Sequence, residues 1–281
     1  MKLKDYRINF IEKLTPLYDL MEAESFFNIA LEELKGWKRL DLAMNPDAVL
    51  SREETDKWNA VLAELENYKP IQYIFGRAHF YGLDFLVNEN TLIPRPETEE
   101  LVEWIIHENK ARGVINIVDI GTGSGCIAIS LAKNLTDANV QAVDVSLGAL
   151  EMARKNAGQN KVEVSFVQHD ILEANSLNGK FDVIVSNPPY VRNLEKEEIK
   201  QNVLNYEPHL ALFVEDNDPL LFYRKIALLG KSALRPYGRL YFEINQYLGN
   251  ETVEMLELLG YNHVTLKKDM YGNDRMVSCR I

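Results

Sequence analysis

Apolar residues recur at helical spacing near the start of the chain. They lie three or four positions apart between residues 6 and 14 and again between residues 26 and 34, with polar residues between them. Ser51, followed by acidic residues and the run KWNAVLAELENY, is typical of a capped helix that ends before Pro70. Residues 1–70 are therefore predicted to form a small domain of about three to five helices.

The character of the sequence changes between residues 70 and 96. Aromatic and β-branched residues in PIQYIFG and HFYGLDFLVNENTLIP are interrupted by Gly76, by Gly82 and by the turn residues at positions 88–90. This pattern predicts a β-hairpin. Residues 71–97 are accordingly interpreted as a hairpin connector between two domains.

From Thr98 onwards, strand-like segments alternate with helix-like ones. Strands are predicted at residues 114–120, 140–145, 162–168, 181–186 and 239–244, and helices at residues 126–134, 147–156, 220–234 and 251–259. The segments 263–267 and 275–280 are too close for a crossover helix and predict a hairpin. Residues 98–281 should therefore form a doubly wound, Rossmann-like α/β domain with a mostly parallel sheet and an antiparallel C-terminal edge hairpin.

The charge balance changes which partners are expected. Asp and Glu outnumber Lys and Arg by 42 to 31, whereas proteins that follow a phosphate backbone usually carry net positive charge. Cys126 and Cys279 lack the spacing of a metal or redox motif, and no apolar run approaches the length of a membrane span. We expect a cytoplasmic protein, most simply a monomer, that needs no metal, no membrane and no direct nucleic-acid contact.

A glycine-rich turn follows the first predicted strand of the α/β domain. In VINIVDIGTGSGCIAISLA, Gly121, Gly123 and Gly125 lead directly into a helix, whose free amide groups suit a polar or anionic ligand. The spacing G-x-G-x-G differs from the G-x-G-x-x-G of dinucleotide-binding loops. A mononucleoside carrying an amino acid therefore fits better than a nicotinamide dinucleotide, although a glycine turn by itself is often only a turn.

Two acidic residues end the next two predicted strands. Asp144 closes the second strand, where an acid is placed to accept hydrogen bonds from ribose hydroxyls, and Asp170 follows the third, where it could meet the adenine amino group. Either residue alone would usually cap a helix. Together with the glycine turn at a neighbouring strand end they predict a nucleoside cleft.

The fourth strand, FDVIVS, ends in Asn187-Pro188-Pro189-Tyr190. Prolines fix the backbone and cannot donate hydrogen bonds, so this end is rich in acceptors. The group that such a site suits best is an NH2 on a planar carbon. The Asn187 side-chain oxygen and the Pro188 carbonyl would accept its hydrogens, and Tyr190 would lie against its flat face. The alternative is that the four residues form only a rigid turn. Because they lie beside a predicted nucleoside cleft, methyl transfer to a planar nitrogen is the better interpretation. Asn187 and Pro188 would then stabilise the nitrogen as it becomes cationic.

Several longer motifs make the chain resemble the HemK/PrmC family of protein glutamine methyltransferases. They are PIQYIFG, HFYGLDFLVNENTLIPRPETEELV, VDIGTGSGCIAISLA, VSNPPYV, EPHLAL and YGNDRMV. The resemblance covers nearly the whole chain. It implies that the protein uses S-adenosylmethionine, releases S-adenosylhomocysteine, and methylates the glutamine of the Gly-Gly-Gln motif in a peptide chain release factor.

The resemblance also implies roles for particular residues. Cofactor contacts are expected from Asp119, Gly121, Thr122, Gly123, Ser124, Gly125, Asp144, Asp170, Ile171 and Asn187. Substrate contacts are expected from Asn187, Pro188, Pro189, Tyr190, Arg95 and Glu97, of which Asn187, Pro188 and Tyr190 are the catalytic candidates. For the loop around Arg95, Glu97 and Thr98, shaping of the cleft entrance and a simple rigid linker remain equally open.

Three alternatives stay open at this point. A close family branch methylates a ribosomal protein of the large subunit, an adenine methyltransferase would use the same pocket on a flipped base, and a nucleoside-sensing module would bind without turnover.

The residues Asn217, Asp218 and Pro219 depart from the glycine-rich stretch expected after EPHLAL, which leaves the conformation of residues 213–220 open. The N-terminal helices are expected to dock the protein substrate, or else only to stabilise the enzyme.

Overall fold

The N-terminal part of the chain is helical, as its apolar pattern predicts. Ser51 caps the fourth helix: its Oγ accepts a hydrogen bond from Glu54 N at 3.1 Å, and the Glu54 carboxylate accepts one from Ser51 N at 2.7 Å. Trp58 stacks on Phe27 within a core to which four of the helices contribute. The helices are α1 (Leu3–Leu14), α2 (Leu20–Lys35), α3 (Arg39–Met44), α4 (Arg52–Glu66) and α5 (Ile71–Phe75).

The segment PIQYIF is a helix, where the sequence pattern predicts part of a hairpin. Pro70 precedes α5 with φ −55°, and Gly76 ends it in the left-handed region with φ +68°. A run of five residues with four apolar ones fits helix and strand equally well by periodicity, so the flanking proline and glycine decide its conformation. The hairpin is confined to β1 (Arg77–Phe80) and β2 (Leu83–Leu86), which pair antiparallel.

The computed structural model describes every residue from Met1 to Ile281 and divides into two compact units. Met1–Gly76 and Lys200–Tyr206 form the first, and Arg77–Ile199 and Glu207–Ile281 form the second. The hairpin therefore packs as part of the second unit, because Phe80 and Phe85 are buried in its core. No helix is both long and apolar enough to cross a membrane.

The second unit contains a seven-stranded, mostly parallel sheet, and the predicted α/β fold class is confirmed. The strands that follow the first hairpin in chain order are β3 (Ile115–Ile120), β4 (Ala138–Asp144), β5 (Ser165–Gln168), β6 (Phe181–Ser186), β7 (Val191–Arg192), β8 (Phe213–Val214), β9 (Leu234–Glu243), β10 (Asn262–Lys268) and β11 (Asp274–Arg280). β7 and β8 pair in a separate two-stranded sheet, and the order of the seven-stranded sheet is β10-β11-β9-β6-β3-β4-β5. β11 is antiparallel to both of its neighbours, so the predicted edge hairpin is confirmed as well. The helices that follow in chain order are α6 (Pro96–Asn109), α7 (Cys126–Asn134), α8 (Leu147–Asn160), α9 (Gln201–Tyr206), α10 (His209–Leu212), α11 (Leu221–Ala233) and α12 (Gly249–Leu258).

Helices cover both faces of this sheet and bury its central strands. Residues of α11 and α12 pack on one face, and residues of α6 and α7 pack on the other. Every residue of β6 is buried, which explains the apolar character of most of its sequence. The chain moves outward from β3 through β4 to β5 and then returns to the other side of β3 as β6. Open α/β sheets bind ligands at the strand carboxyl ends where the order reverses in this way.

The stretch after EPHLAL is ordered by one acidic residue and one strand pair. β8 (Phe213–Val214) pairs parallel with β7 (Val191–Arg192). The Asp218 carboxylate receives two hydrogen bonds from Arg224, at 2.8 and 2.9 Å, and its carbonyl accepts from Leu221 N at 3.2 Å. Asp218 thereby fixes the start of α11 without a glycine.

Candidate active site

The glycine loop joins β3 to α7, and each of its three glycines adopts a positive φ. The values are +74° at Gly121, +55° at Gly123 and +83° at Gly125, a region that side-chain-bearing residues rarely occupy. A Cβ at Gly125 would lie 2.8 Å from Ile129 Cδ1 and 3.1 Å from Ala153 Cβ, so this glycine lets α7 and α8 pack closely. A Cβ at Gly121 would instead come no closer than 4.0 Å to any atom, the nearest being the carbonyl oxygen of Asn187.

Asp119 supports this loop from behind. Its Oδ2 accepts hydrogen bonds from Thr122 Oγ1 at 2.6 Å and from Ala128 N at 3.2 Å, while its Oδ1 is buried without a partner. The pKa of this carboxyl is raised to about 7, mainly by burial and to a smaller extent by the negative charge of Asp144, and the two hydrogen bonds oppose this rise. Asp119 therefore helps to hold the glycine loop in place.

A cleft of about 190 Å³ opens at the carboxyl ends of the parallel strands, beside this loop. Its polar lining includes Asp144 and Asp170, and its apolar lining includes Leu92 and Ile171. Of the predicted site residues, the lining contains Gly121, Gly123, Asp144, Asp170, Ile171, Asn187, Pro188 and Pro189. It does not contain Asp119, Thr122, Ser124, Gly125, Tyr190, Arg95 or Glu97, whose direct ligand contacts stay predictions.

Backbone donors hold the two cleft acids in place. Asp144 accepts hydrogen bonds from Gly123 N at 2.8 Å and from Ser146 N at 2.9 Å, and Asp170 accepts one from Leu172 N at 2.9 Å. Burial raises the pKa of Asp144, whereas its backbone hydrogen bonds lower it. Asp144 therefore joins the glycine loop to the end of β4 and presents a carboxylate edge to the cleft.

Asn187 lies at the end of β6, directly across from the glycine loop. Ser186 Oγ donates to the Ile120 carbonyl at 2.7 Å, which fixes the end of β6 against the end of β3. The Asn187 side-chain Nδ2 donates to Thr98 Oγ1 at 3.3 Å. Tyr190 turns away from the cleft, and its hydroxyl donates to Glu243 Oε1 at 3.1 Å. The contact predicted between the Tyr190 ring and the flat face of the bound substrate group therefore stays a prediction.

Glu243 is the site-adjacent residue that the sequence interpretation missed. It is 1% exposed at the end of β9, and Thr98 Oγ1 donates to its Oε2 at 2.6 Å. Thr98 and Glu243 are separated by 145 positions in the chain. No local pattern connects them, because Glu243 appears in the sequence only as one residue of an apolar strand.

The loop with Arg95 is fastened by a second buried carboxylate. Glu207 Oε1 accepts a hydrogen bond from Arg95 Nη2 at 2.6 Å, and its Oε2 accepts one from Ile93 N at 3.0 Å. The Glu207 side chain is 1% exposed. Glu207 is followed directly by Pro208, which lines the cleft, so this ion pair joins the proline-rich loop to the cleft wall.

The chain matches two family models and several curated relatives. Residues 98–210 match the methyltransferase small domain, and residues 21–76 match the PrmC N-terminal domain. A release factor glutamine methyltransferase of Flavobacterium psychrophilum is 60% identical over 280 residues, covering 99% of this chain and 98% of that protein. The chain belongs to the release factor glutamine methyltransferase family. The resemblance inferred from the sequence motifs is thereby confirmed.

Two further comparisons place this release factor glutamine methyltransferase family member among its relatives. The protein of the same name from Bacteroides thetaiotaomicron is 46% identical over 95% of this chain and 96% of its own length. The crystal structure of a methyltransferase from Pyrococcus furiosus aligns with a TM-score of 0.52 at 22% identity, over 77% of this chain and 95% of that one. At that identity the structural likeness shows the methyltransferase fold alone.

Proposed function

We propose that this enzyme transfers a methyl group from S-adenosylmethionine to the side-chain amide nitrogen of the glutamine in the Gly-Gly-Gln motif of a peptide chain release factor. The observation that carries the proposal is the placement of Asn187 and Pro188 in the wall of a nucleoside-sized cleft, opposite Gly121. The family's shared name, release factor glutamine methyltransferase, supports the choice of substrate.

The residues present fit S-adenosylmethionine as the methyl donor. The open space above Gly121 admits a ligand where a side chain would block it, and the carboxylate edge of Asp144 suits a pair of ribose hydroxyls. Asp170, Ile171 and Leu172 would flank the adenine, with the carboxylate near its amino group. When bound, the cofactor supplies a methyl group on a positively charged sulfur.

Asn187 and Pro188 would hold the substrate nitrogen. An amide nitrogen is a weak nucleophile because its lone pair is delocalised into the carbonyl group. Two acceptors, Asn187 Oδ1 and the Pro188 carbonyl, can bind its two hydrogens and orient the lone pair towards the methyl carbon. The same acceptors stabilise the positive charge that develops on the nitrogen, so no strong general base is required.

Adenine in nucleic acid is the second candidate substrate, because its amino group is also a planar NH2. The net charge of −11 disfavours this substrate, because an enzyme that acts on nucleic acid must bind a phosphate backbone.

The free thiols of Cys126 and Cys279 are in keeping with our proposal of a reducing, cytoplasmic location.

The first test offers the full-length enzyme two substrates in parallel. Incubation with S-adenosylmethionine and an intact release factor should add 14 Da to the peptide that contains Gly-Gly-Gln, as read by mass spectrometry, while duplex DNA and tRNA gain no label from radioactive cofactor. A release factor in which this glutamine is changed to alanine is the matched control. Label on nucleic acid and none on the factor would overturn the proposed substrate.

We further assign substrate docking to the N-terminal helical unit. Glu32 and Glu33 are exposed on α2, and an acidic surface suits a partner that is locally basic. Docking by such a surface contributes to the capture of a whole folded factor and not to the capture of a short glutamine peptide.

The docking role can be tested by changing charge without deleting any part of the chain. The double change Glu32→Gln and Glu33→Gln should raise the KM for intact release factor about threefold or more at low salt, and leave the KM for a Gly-Gly-Gln peptide unchanged. Glu254→Gln with Glu257→Gln, a pair of exposed acids on α12, is the matched control. An equal KM change for factor and peptide would contradict docking at this face.

A further inference from the structure

A carboxylate that the proposed chemistry does not use lies buried just behind the amide-binding residues. Glu243 is held inside the protein at the end of β9, where an isolated charge is costly unless it is hydrogen-bonded. It has two donors: Thr98 Oγ1 at 2.6 Å and the Tyr190 hydroxyl at 3.1 Å. Thr98 contacts Asn187 of the Asn-Pro-Pro-Tyr segment, and Tyr190 is the last residue of that segment. Glu243 is therefore linked to the segment through two separate side chains.

The direction of the hydrogen bonds fixes the orientation of the Asn187 amide. The Thr98 hydroxyl has a single hydrogen, and the short distance to Glu243 Oε2 commits that hydrogen to the carboxylate. Towards Asn187, 3.3 Å away, the hydroxyl oxygen can then only accept. The Asn187 group that faces Thr98 must therefore be the NH2, and the opposite group, Oδ1, is directed away from Thr98.

This direction matters because the two ends of an asparagine amide have opposite hydrogen-bonding character. With Oδ1 towards the substrate, Asn187 accepts from the NH2 that is to be methylated. Rotated by half a turn, it would present its own NH2 to the substrate NH2, which leaves two donors facing each other. The isolated side chain has little preference between these two states.

We propose that Glu243 and Thr98 are positioning residues that set the Asn187 amide in its accepting orientation towards the substrate nitrogen. The proposal rests on the proposed function, since it concerns the same reaction. Glu243 also accepts from the Tyr190 hydroxyl, and Asn245 Nδ2 donates to the Tyr190 carbonyl at 2.9 Å. Residues at and just after the end of β9 therefore hold the Tyr190 end of the motif directly and the Asn187 end through Thr98. Neither Thr98 nor Glu243 has to touch the substrate.

The charged surroundings of Glu243 are consistent with this role. The pKa of Glu243 is raised above its ordinary value, mainly by burial and to a smaller extent by the negative charge of Glu97, and the hydrogen bonds from Thr98 and Tyr190 and the positive charge of Arg275 limit this rise. Arg275 lies within YGNDRMV, and Asp269 accepts from its Nε at 3.1 Å. The C-terminal motif thereby places a cation that supports the ionised form of Glu243.

A double-mutant cycle between Thr98 and Asn187 tests the proposal. Thr98→Val keeps the shape of the side chain and removes its hydroxyl, and we expect kcat for intact release factor to fall about tenfold or more, with the dissociation constant for S-adenosylmethionine unchanged. Thr98→Ser restores the hydroxyl and should return kcat to within about threefold of the wild type. In the Asn187→Ala background, Thr98→Val should change the residual turnover by less than about twofold, because the residue on which Thr98 acts is gone.

Each other outcome overturns the proposal. A purely structural role for Thr98 predicts the same fold loss in both backgrounds, lowered cofactor affinity, or no rescue by serine. Thermal denaturation checks that every variant is folded, and Thr98→Ala takes the place of the valine variant in the cycle if that variant unfolds. Failure of the proposed function gives a different result from failure of this proposal, because the wild-type enzyme would then leave the release factor unmethylated.

Discussion

Replacing Asn187 with alanine should lower kcat for release factor methylation by about 100- to 1000-fold, while the affinity for S-adenosylmethionine stays within about twofold of the wild type. Removal of a preorganised group that stabilises developing charge typically has an effect of this size. Asn187 lines the ligand cleft just after β6, and its side-chain oxygen would accept a hydrogen bond from the reacting nitrogen. Of the expected cofactor contacts only that of Asn187 is affected, and those of Asp144 and the glycine loop are untouched by the change.

Separate readouts for chemistry and for binding make this prediction specific. Single-turnover methylation followed by mass spectrometry gives the rate, and calorimetry gives the dissociation constant of the cofactor. Asn193→Ala is the matched control: Asn193 follows the same motif and donates to Glu215 at 3.3 Å, and it does not line the cleft. Full turnover by the Asn187 variant would show that the amide is gripped by other groups, and equal losses in both variants would indicate general damage to the loop.

The position of the site could be predicted from the sequence because parallel strands meet at one edge. Glycine at 121, the acids at 144 and 170 and the amide at 187 each lie at or just after the end of a predicted strand, and the structure brings all four into the lining of one cleft. Strand boundaries follow best from apolar runs where both faces of a sheet are covered. β9 begins at Leu234, five positions before the predicted start, and β5 begins at Ser165, three positions after it. β6 and α7 begin and end at the predicted residues.

The contacts behind the site could not be predicted, since they join elements that are distant in the chain. Thr98 meets Glu243 across 145 positions, and Arg95 meets Glu207 across 112. Hydrophobic periodicity gives the face of a strand on which a residue lies, but not the side chain that will approach it from another element. The prediction for residues 71–75 was wrong for a different reason: five residues, four of them apolar, carry too little periodicity to separate a helix from a strand.

Changing Asp119 to asparagine should alter how the stability of the enzyme depends on pH. The unfolded chain has an ordinary carboxyl with a pKa of 3.8, whereas burial raises the pKa of Asp119 in the folded enzyme to about 7. Between these two values the folded state holds a proton that the unfolded state has lost. The contribution of Asp119 to the free energy of unfolding therefore falls as pH rises towards 7, and it is constant above that.

The asparagine variant lacks this titration, so its stability relative to the wild type should increase with pH. We expect the difference in the free energy of unfolding, variant minus wild type, to grow by about 2 kcal/mol between pH 5.5 and pH 8.5 in urea denaturation. Working above the sequence pI of about 5.1 keeps the protein charged and limits its association. Asp137→Asn, at an exposed turn away from the glycine loop, is the matched control. A constant difference across this range would mean that Asp119 is ionised in the folded enzyme throughout, despite its burial and its unpartnered Oδ1.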